Sequence, residues 1–290
     1  MASSGERPAE VAGSKNGAPE QPAGVTQREV KDIEERSSPR TPVIYEIVRR
    51  LGEEEMARPA ISLWWSGVAA GLSISFSLLG QAILETHLPD APWRPLVSCF
   101  GYSVGFIMVV LSRQQLFTES TITAVLPLFA DFSFTNLRKL ARLWSIVLVA
   151  NFVGTFVAAC FFTYAPALTP ALYAGMLEVS QHILGHGWLD LFFKGIPAGF
   201  LIAAMVWLIP SADTAQFYVI ALMTYIIAAG QFMHIIAGSV EAFILVLHGD
   251  VGLAAIGIGF ITPVLLGNII GGTVLFGLIS YGQVMREIEL

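Results

Sequence analysis

A single histidine, His234, interrupts the apolar segment 228–241, which reads AAGQFMHIIAGSVE. An ionisable ring is costly inside a membrane, so its presence there indicates either a partner within the protein or a functional role. Imidazole can donate a hydrogen bond or a proton near neutral pH. Two interpretations are open. The ring lines a pore and passes a proton to a weak acid, or it is neutral, bonded only within the protein, and shapes the pore.

Glu241 is the second residue of this segment that could do chemistry. It follows His234 by seven residues, or two helical turns, which places both side chains on one face of a regular helix. Gly238 lies between them and leaves room. We expect Glu241 to reach an outer vestibule and to tune His234 or incoming protons. In the alternative interpretation, it is a carboxylate at the outer end of the helix that faces water or another subunit.

A second polar interruption, SRQQLFTES at 112–120, divides another apolar run. It carries Arg113 and, six residues later, Glu119. We expect Arg113 to neutralise Glu119 and thereby fix the loop, because a free carboxylate at this place would repel anions. Gating by Glu119 is the alternative.

The composition is that of an integral membrane protein with a polar N-terminal segment. Of the 290 residues, 54% are hydrophobic and 13% are charged, whereas about a quarter of the residues of a soluble domain are charged. Nine of the 16 Lys and Arg residues and eleven of the 22 Asp and Glu residues fall in 1–58. We expect a disordered cytoplasmic tail over 1–40, an amphipathic juxtamembrane helix over 41–58 capped by Thr41, and a transmembrane domain over 59–286.

Six apolar segments are long enough, at about 20 residues each, to cross a membrane. The second is interrupted by SRQQLFTES and the fifth around His234. Basic residues cluster before the first and third segments and follow the sixth, which predicts that both termini are cytoplasmic. The segments cover about 60–84, 95–129, 143–166, 190–209, 216–247 and 252–282.

Interrupted helices are tolerated at membrane depth only where protein covers the open backbone or where it lines a watery cavity. Each interrupted segment is the middle one of three, and matching interruptions in two halves are typical of a binding site or pore. The predicted fold is therefore an all-α integral membrane protein. It has six transmembrane helices in an inverted 3+3 repeat, with interrupted helices 2 and 5 meeting near the midplane.

Other function classes have little support in the sequence. It contains no nucleotide-binding loop, no cluster of metal ligands and no nucleophile–base pair, so we expect neither an enzyme nor a bound cofactor or metal. Cys99 and Cys160 lie far apart in apolar runs and are expected to be reduced. The lipid bilayer is an expected partner, and nucleic acid is not.

Several stretches resemble the formate/nitrite transporter family over about 45–285. The segment RQQLFTEST and the long polar N-terminus are similar to the YfdC-type branch of that family. The matching stretches are GYSVGF at 101–106, LFT at 116–118, Ala150 and Asn151 with Gly154, FMHIIAG at 232–238 and, most specifically, GNIIGG at 267–272.

The resemblance implies a homopentamer in the inner membrane, in which each protomer has an aquaporin-like fold and its own pore. The solutes would be small monovalent anions of weak acids, or the acids themselves, moving passively or with protons. The pore would narrow at two hydrophobic constrictions, with His234 between them. The cytoplasmic constriction falls on Leu116, Phe117 and Thr118, and the periplasmic one on Tyr102, Phe106 and Ile227.

The sequence departs from the formate-type members of the family. Met233 replaces a Glu before the histidine, and Gly238 replaces an Asn four residues after it. The loop before the fourth segment has His182 and His186 where those members have a Lys, and Glu119 occupies a position that is usually small. A channel for small neutral solutes and a non-conducting membrane scaffold or sensor are therefore kept as alternatives.

GNIIGG is a packing segment rather than a chemical one. Its glycines favour close approach of helices. Asn268 either shares in that packing or bonds backbone groups that the interruptions leave open.

Overall fold

A computed structural model describes residues 26, 28, 29, 31 and 39–288. The chain divides into two units, Met1–Ser38 and Pro39–Leu290. Almost all of the tail predicted over 1–40 lies outside the described residues.

The second unit is built from helices joined by short turns. Two π-helical segments, Gly257–Ile261 and Ile270–Gly277, connect the last three helices into one continuous helix. In chain order the helices are α1 Thr41–Ala57, α2 Ala60–Ile74, α3 Phe76–His87, α4 Arg94–Leu111, α5 Phe117–Thr123, α6 Leu126–Ala130, α7 Phe134–Tyr164, α8 Pro170–Gln181, α9 Trp188–Leu208, α10 Gln216–Ala229, α11 Ile235–His248, α12 Leu253–Ile256, α13 Thr262–Ile269 and α14 Leu278–Ile288.

The all-α membrane class predicted from the sequence is confirmed. Within the described residues, five helical segments are long and apolar enough to cross a membrane. The predicted fifth span is instead two shorter apolar helices, Asp213–Ala229 and Ile235–His248. The five long segments are Ala60–His87, Arg94–Leu111, Phe134–Tyr164, Trp188–Ser211 and Leu253–Glu287.

Short sequence signals set the ends of several helices. Ser133 precedes α7, and its side chain accepts a hydrogen bond from the backbone N–H of Asn136 at 3.2 Å. Thr169 caps α8 in the same way, with Pro170 in the first turn. Such caps satisfy donors that a helix leaves unpaired at its N-terminus. Gly249, in the left-handed conformation with φ 99°, ends α11.

Two interruptions separate helices whose apolar runs would otherwise continue. The first lies between α4 and α5, and the second lies between α10 and α11. Each contains a non-glycine residue in the left-handed region, Arg113 with φ 52° and Gln231 with φ 51°. Such conformations are uncommon and persist only where the surrounding structure holds them. Both fall within the polar breaks that the sequence predicted.

The side-chain amide of Asn151 holds the first interruption to α7. Its Oδ1 accepts a hydrogen bond from the backbone N–H of Phe117 at 2.9 Å. Its Nδ2 donates to the carbonyl oxygens of Gly67, at 2.8 Å, and Gln115, at 2.9 Å. One buried side chain thereby satisfies two backbone groups of the break, the N–H of Phe117 and the carbonyl of Gln115, and joins them to the carbonyl of Gly67 in α2.

Asn268 of α13 does the same for the second interruption. Its Oδ1 accepts from the backbone N–H of Ile235 at 2.8 Å. Its Nδ2 donates to the carbonyl oxygens of Gly195 and Met233, both at 2.8 Å. The two interruptions are therefore held by matching sets of hydrogen bonds. In each case the asparagine belongs to a helix that comes later in the chain, α7 for the first interruption and α13 for the second.

Glycines allow the helices that carry these asparagines to come close to their neighbours. A Cβ at Gly71 of α2 would lie 2.3 Å from the carbonyl oxygen of Asn151, and one at Gly199 of α9 would lie 2.2 Å from that of Asn268. Neither position has room for a larger side chain. Close backbone approach of this kind drives helix association in membranes.

Helix α1 packs on the protein with one face and leaves an apolar face outside. Tyr45 and Val48 are buried in the core. The outer face carries Val43, Ile47 and Leu51, which are exposed. A helix that lies at a membrane surface needs such an apolar face, and that placement of 41–58 stays a prediction.

The start of α1 differs from the predicted one. Arg40 holds the N-cap position without a side-chain bond, so Thr41 does not cap the helix. Pro42 occupies the first turn, where its fixed φ suits a helix start. Further along, a Cβ at Gly52 would lie 1.8 Å from the carbonyl oxygen of Thr123, so glycine lets α1 dock against the end of α5.

Asn151→Ala and Asn268→Ala should each destabilise the folded protein, because each leaves one N–H and one carbonyl of a break without this partner and removes a bond to a neighbouring helix. A buried polar group without a partner costs about 1–3 kcal/mol. We expect a lower midpoint of thermal unfolding in detergent for both variants. Asn136→Ala is the matched control, since that amide bonds Asp131 on an exposed surface. An unchanged midpoint in either buried variant would contradict the role of these amides.

Candidate functional site

His234 lies at the second interruption and caps α11. Its Nδ1 accepts a hydrogen bond from the backbone N–H of Ala237 at 3.1 Å, and its Nε2 lies 2.7 Å from Oγ1 of Thr118. Since Nδ1 is an acceptor, the neutral ring carries its hydrogen on Nε2 and donates it to Thr118. The side chain is 2% exposed and joins the second interruption to α5.

A cavity of about 300 Å³ reaches from one end of the second unit to His234. Its mouth includes Glu85, which lies near the C-terminal end of α3. This is the end of the segment Ala60–His87 that lies away from α1. Its inner part includes Met233. The titratable residues that line it are Glu85, Cys99, Tyr102, Glu178, His182, His234 and Glu241.

Aromatic rings lie beside the histidine. The ring of Phe106 meets that of His234 edge-on, with 4.9 Å between centroids. Tyr102 lies 5.2 Å from Phe106 and lines the cavity. Of the three residues predicted for the outer constriction, Phe106 is thus next to His234, and Tyr102 lines the same cavity. Ile227 is buried in the same apolar core and does not line the cavity.

Acidic residues share one arginine at the cavity mouth. Nε of Arg94 lies 2.7 Å from Oε1 of Glu85, and its other nitrogens lie 3.7 Å from Glu178 and 3.9 Å from Asp90. One positive charge therefore faces three carboxylates. The arrangement fixes α4 to α3 and leaves the mouth with an excess of negative charge.

The two histidines predicted in place of a loop lysine have different positions. His182, at the end of α8, lines the cavity. His186 pairs with Asp190 in the first turn of α9 and does not line the cavity. Of the two, only His182 can act on a solute in this cavity.

Glu241 opens onto the same cavity as His234, so the two share a face as their spacing predicted. It is 4% exposed, and the nearest group of opposite charge is Nδ1 of His182 at 3.8 Å, which is too far for a hydrogen bond. Gly238 lies between Glu241 and His234 on α11. A Cβ there would lie 2.6 Å from the ring of Phe260, so glycine lets that ring pack on α11.

The residues predicted for the inner constriction lie at the start of α5. Leu116, Phe117 and Thr118 are all buried. Phe117 meets Trp144 of α7 edge-on, with 5.6 Å between ring centroids. Of the three, Thr118 contacts His234 directly.

The expected pair between Arg113 and Glu119 is not formed within residues 39–288. Arg113 is exposed in the left-handed turn, whereas Oε1 of Glu119 is buried and has no hydrogen-bond partner there. The physical reason is helix formation: Glu119 falls in the first turn of α5 and Arg113 stays in the loop. A carboxylate in the first turn is favourable to the helix dipole.

Glu55 of α1 reaches the first interruption. Nε2 of Gln115 donates to its Oε1 at 3.0 Å, and Oγ1 of Thr123 donates to its Oε2. Burial raises the pKa of Glu55 above its usual value, because the surrounding protein removes the water that would stabilise the charge. The two hydrogen bonds act in the opposite direction.

The raised pKa makes the stability that Glu55 contributes depend on pH. That contribution is fully present below the ordinary pKa of 4.5 and is lost as the pH rises through the folded-state value. Glu55→Gln is neutral at every pH, so the unfolding midpoint of the wild type minus that of the variant should fall from about pH 5 towards alkaline pH.

Glu46→Gln is the control for that measurement. Arg49 lowers the pKa of Glu46 to about 2 through direct hydrogen bonds. Its contribution is present above pH 4.5 and is lost only in acid, so its midpoint difference should stay level over the same range. A level difference for Glu55→Gln as well would contradict the effect of burial on that carboxyl group.

Long apolar helices, two interruptions bonded through buried side chains, and a cavity that ends on a histidine describe a helical membrane protein whose broken helices meet at one site. The formate/nitrite transporter family matches residues 42–282, and the chain belongs to that family. The resemblance drawn from GNIIGG and FMHIIAG is thereby confirmed.

Similar proteins agree with this assignment. The chain is 39% identical over 262 residues to the inner membrane protein YfdC of Escherichia coli K12. The match covers 90% of this chain and 84% of YfdC. It is 28% identical over 246 residues to the formate channel FocA of Haemophilus influenzae, covering 76% of this chain and 85% of FocA.

Solved structures show the same fold. A pentameric formate channel with formate bound superposes with a TM-score of 0.67 at 24% identity, covering 78% of this chain and 98% of that one. An FNT family ion channel superposes with a TM-score of 0.71 at 20% identity, covering 84% and 98%.

Sequence reasoning missed several residues that shape the site. Asn151 and Asn268 share a signal: each lies three residues before a glycine and follows its break at a similar distance in the sequence. Backbone bonding is predicted from the sequence for Asn268 only. Glu55 lies in a run of acidic residues, and Arg94 lies in a polar loop. Neither pattern distinguishes a buried or bridging side chain from a solvated one.

Proposed function

We propose that this chain is a membrane channel or transporter for small monovalent anions of weak acids, such as formate or nitrite, with a pore in each protomer. One observation carries the proposal: the cavity of about 300 Å³ ends on His234, which is bonded to the start of α5. A relative named as a formate channel supports the solute class. Transport rather than enzymatic activity follows from the same family membership.

An anion that leaves water for the interior of a membrane loses its hydration at high cost. Helix α11 begins at the inner end of the cavity, and the partial positive charge at its N-terminus offsets part of that cost. Tyr102 and Phe106 on the cavity side, and Leu116 and Phe117 beyond the histidine, are apolar surfaces that reject hydrated ions. A small solute that has lost its charge or its water is the species that fits such a path.

We propose that the His234 ring stays uncharged in this path and acts as a hydrogen-bond donor. Protonation of Nδ1 would break its bond with the N–H of Ala237 and place a positive charge at the positive end of α11. Nε2–H already points at Thr118 and can exchange that partner for a passing solute. Of the two interpretations open from the sequence, hydrogen bonding to the solute is therefore favoured over proton donation.

The finer architecture is part of the proposal. Helices α10 and α11 together make one further crossing, so that six crossings form an inverted, aquaporin-like repeat with both termini in the cytoplasm. The matching asparagine bonds at the two interruptions support a repeat. The name of the relative YfdC supports the inner membrane, and a pentameric structural neighbour supports a homopentamer.

The test is flux through the reconstituted wild type and His234→Asn. Asparagine is a good N-cap residue, so the variant keeps the cap of α11 while it loses the imidazole. We expect saturable uptake of formate or nitrite by wild-type vesicles. In the variant we expect slower uptake with the same shape of pH dependence, because no proton is taken from the ring.

His186→Asn is the matched control, since it makes the same chemical change outside the cavity. A pH dependence that disappears in His234→Asn would instead make the histidine a proton donor. Uptake of uncharged solutes without anion uptake would support the neutral-solute channel. No uptake of either kind by a folded protein would support the scaffold.

A further inference from the structure

The carboxyl group of Glu241 is buried in the cavity and accepts no hydrogen bond from residues 39–288. It is 4% exposed and lines the cavity wall. The nearest group that could carry a positive charge is His182, with Nδ1 at 3.8 Å. A charge in such a place needs compensation by a proton or by a ligand.

The groups that face Glu241 do not supply that compensation. Nδ1 of His182 lies 2.6 Å from the carbonyl oxygen of Val179, to which it donates. Loss of hydration lowers the pKa of His182; the hydrogen bond to Val179 raises it to a smaller extent, and Lys194 lowers it slightly. The net direction is down, so the ring is neutral at pH 7. Arg94, at the mouth, forms ion pairs with Glu85 and Glu178.

The remaining neighbours are neutral or acidic. Helix α4 contributes Tyr102 and Cys99 to the cavity, and α8 contributes Glu178. Helix α7 meets α11 through the uncharged bond between Thr155 and Ser239. The cavity is therefore a negatively charged vestibule, which repels an anion unless Glu241 holds a proton.

We propose that Glu241 is the proton-donating site of the outer vestibule, and that the solute crosses the Tyr102–Phe106 constriction as a neutral acid. The proposal rests on the proposed function. The O–H bond of the Glu241 carboxyl group breaks and an O–H bond forms on an oxygen of the solute anion. The carboxylate that remains takes a proton from hydronium in the water at the cavity mouth. One proton then moves with each anion, and no net charge crosses.

The position of Glu241 suits this order of events. It lies two turns of α11 outside His234, about 10 Å along the helix axis. A solute that enters from the mouth meets the carboxyl group before it meets the aromatic constriction and the capped histidine. The substrate class follows: anions whose conjugate acids are weak enough to take a proton from a carboxylic acid. Nitrite meets that condition, and nitrate, the anion of a strong acid, does not.

The experiment uses full-length protein in vesicles that carry a pH dye, with an inward gradient of formate, nitrite or nitrate and protein-free vesicles as background. For the wild type we expect uptake of formate and nitrite with matching acidification inside, and nitrate at background. Glu241→Gln should reduce uptake by about a hundredfold, the lower range for loss of a positioned proton donor. Any uptake that remains should follow membrane voltage.

Glu178→Gln is the matched control, because it removes a carboxyl group from the same cavity at a position whose side chain is 65% exposed. It should keep the wild-type ratio of protons to anions. Glu241→Asp keeps an acid and should keep the coupling at a lower rate, which separates proton donation from packing. The unfolding midpoint of each variant shows whether it is folded.

Several results would overturn the proposal. If wild-type protein takes up nitrate as fast as nitrite, Glu241 is not a proton donor to the solute. The same holds if the ratio of protons to anions is unchanged in Glu241→Gln. Equal losses in Glu241→Gln and Glu178→Gln assign the effect to vestibule charge in general. Uptake that depends on sodium or potassium at constant pH makes a metal cation the partner of Glu241. No uptake by the wild type overturns the proposed function itself, and the role of Glu241 with it.

Discussion

The backbone at a helix break is the constraint on which this structure depends. Each break frees N–H and C=O groups in surroundings that offer them no water, and leaving them unpaired would cost more than most side-chain contacts return. Asn151 and Asn268 answer that need with one acceptor and two donors each. Because the amide is planar and short, it also fixes the distance between the break and the helix behind it.

The site inherits its geometry from those two amides. Once the N–H groups of Phe117 and Ile235 are held, the residues next to them, Thr118 and His234, come within hydrogen-bonding distance of each other. The ring must then serve as a cap on one nitrogen and as a donor on the other. A histidine used in this way keeps one tautomer.

Much of this was predictable, and the exceptions have physical causes. Apolar length predicted the five long membrane segments, and polar residues inside apolar runs predicted both breaks. The spacing of His234 and Glu241 placed both on one cavity, because a regular helix leaves little freedom over seven residues. The predicted Arg113–Glu119 pair does not form, because the spacing of two residues across a loop does not determine where their side chains point. Once Glu119 entered the first turn of α5, Arg113 stayed in the turn outside.

Long-range contacts of charged side chains at the two ends of the protein could not be predicted from the spacing of residues in the sequence. Arg94 and Glu178 are far apart in sequence and meet only because α8 packs on α3. Glu55 bonds Gln115 across sixty residues because Gly52 lets α1 dock against α5. Long-range polar contacts of this kind depend on which helices pack together. They decide whether a carboxylate of the cavity lies beside an arginine, as Glu85 does, or beside a histidine at 3.8 Å, as Glu241 does. The electrostatic character of the cavity is therefore a property of the packed helices rather than of any one of them.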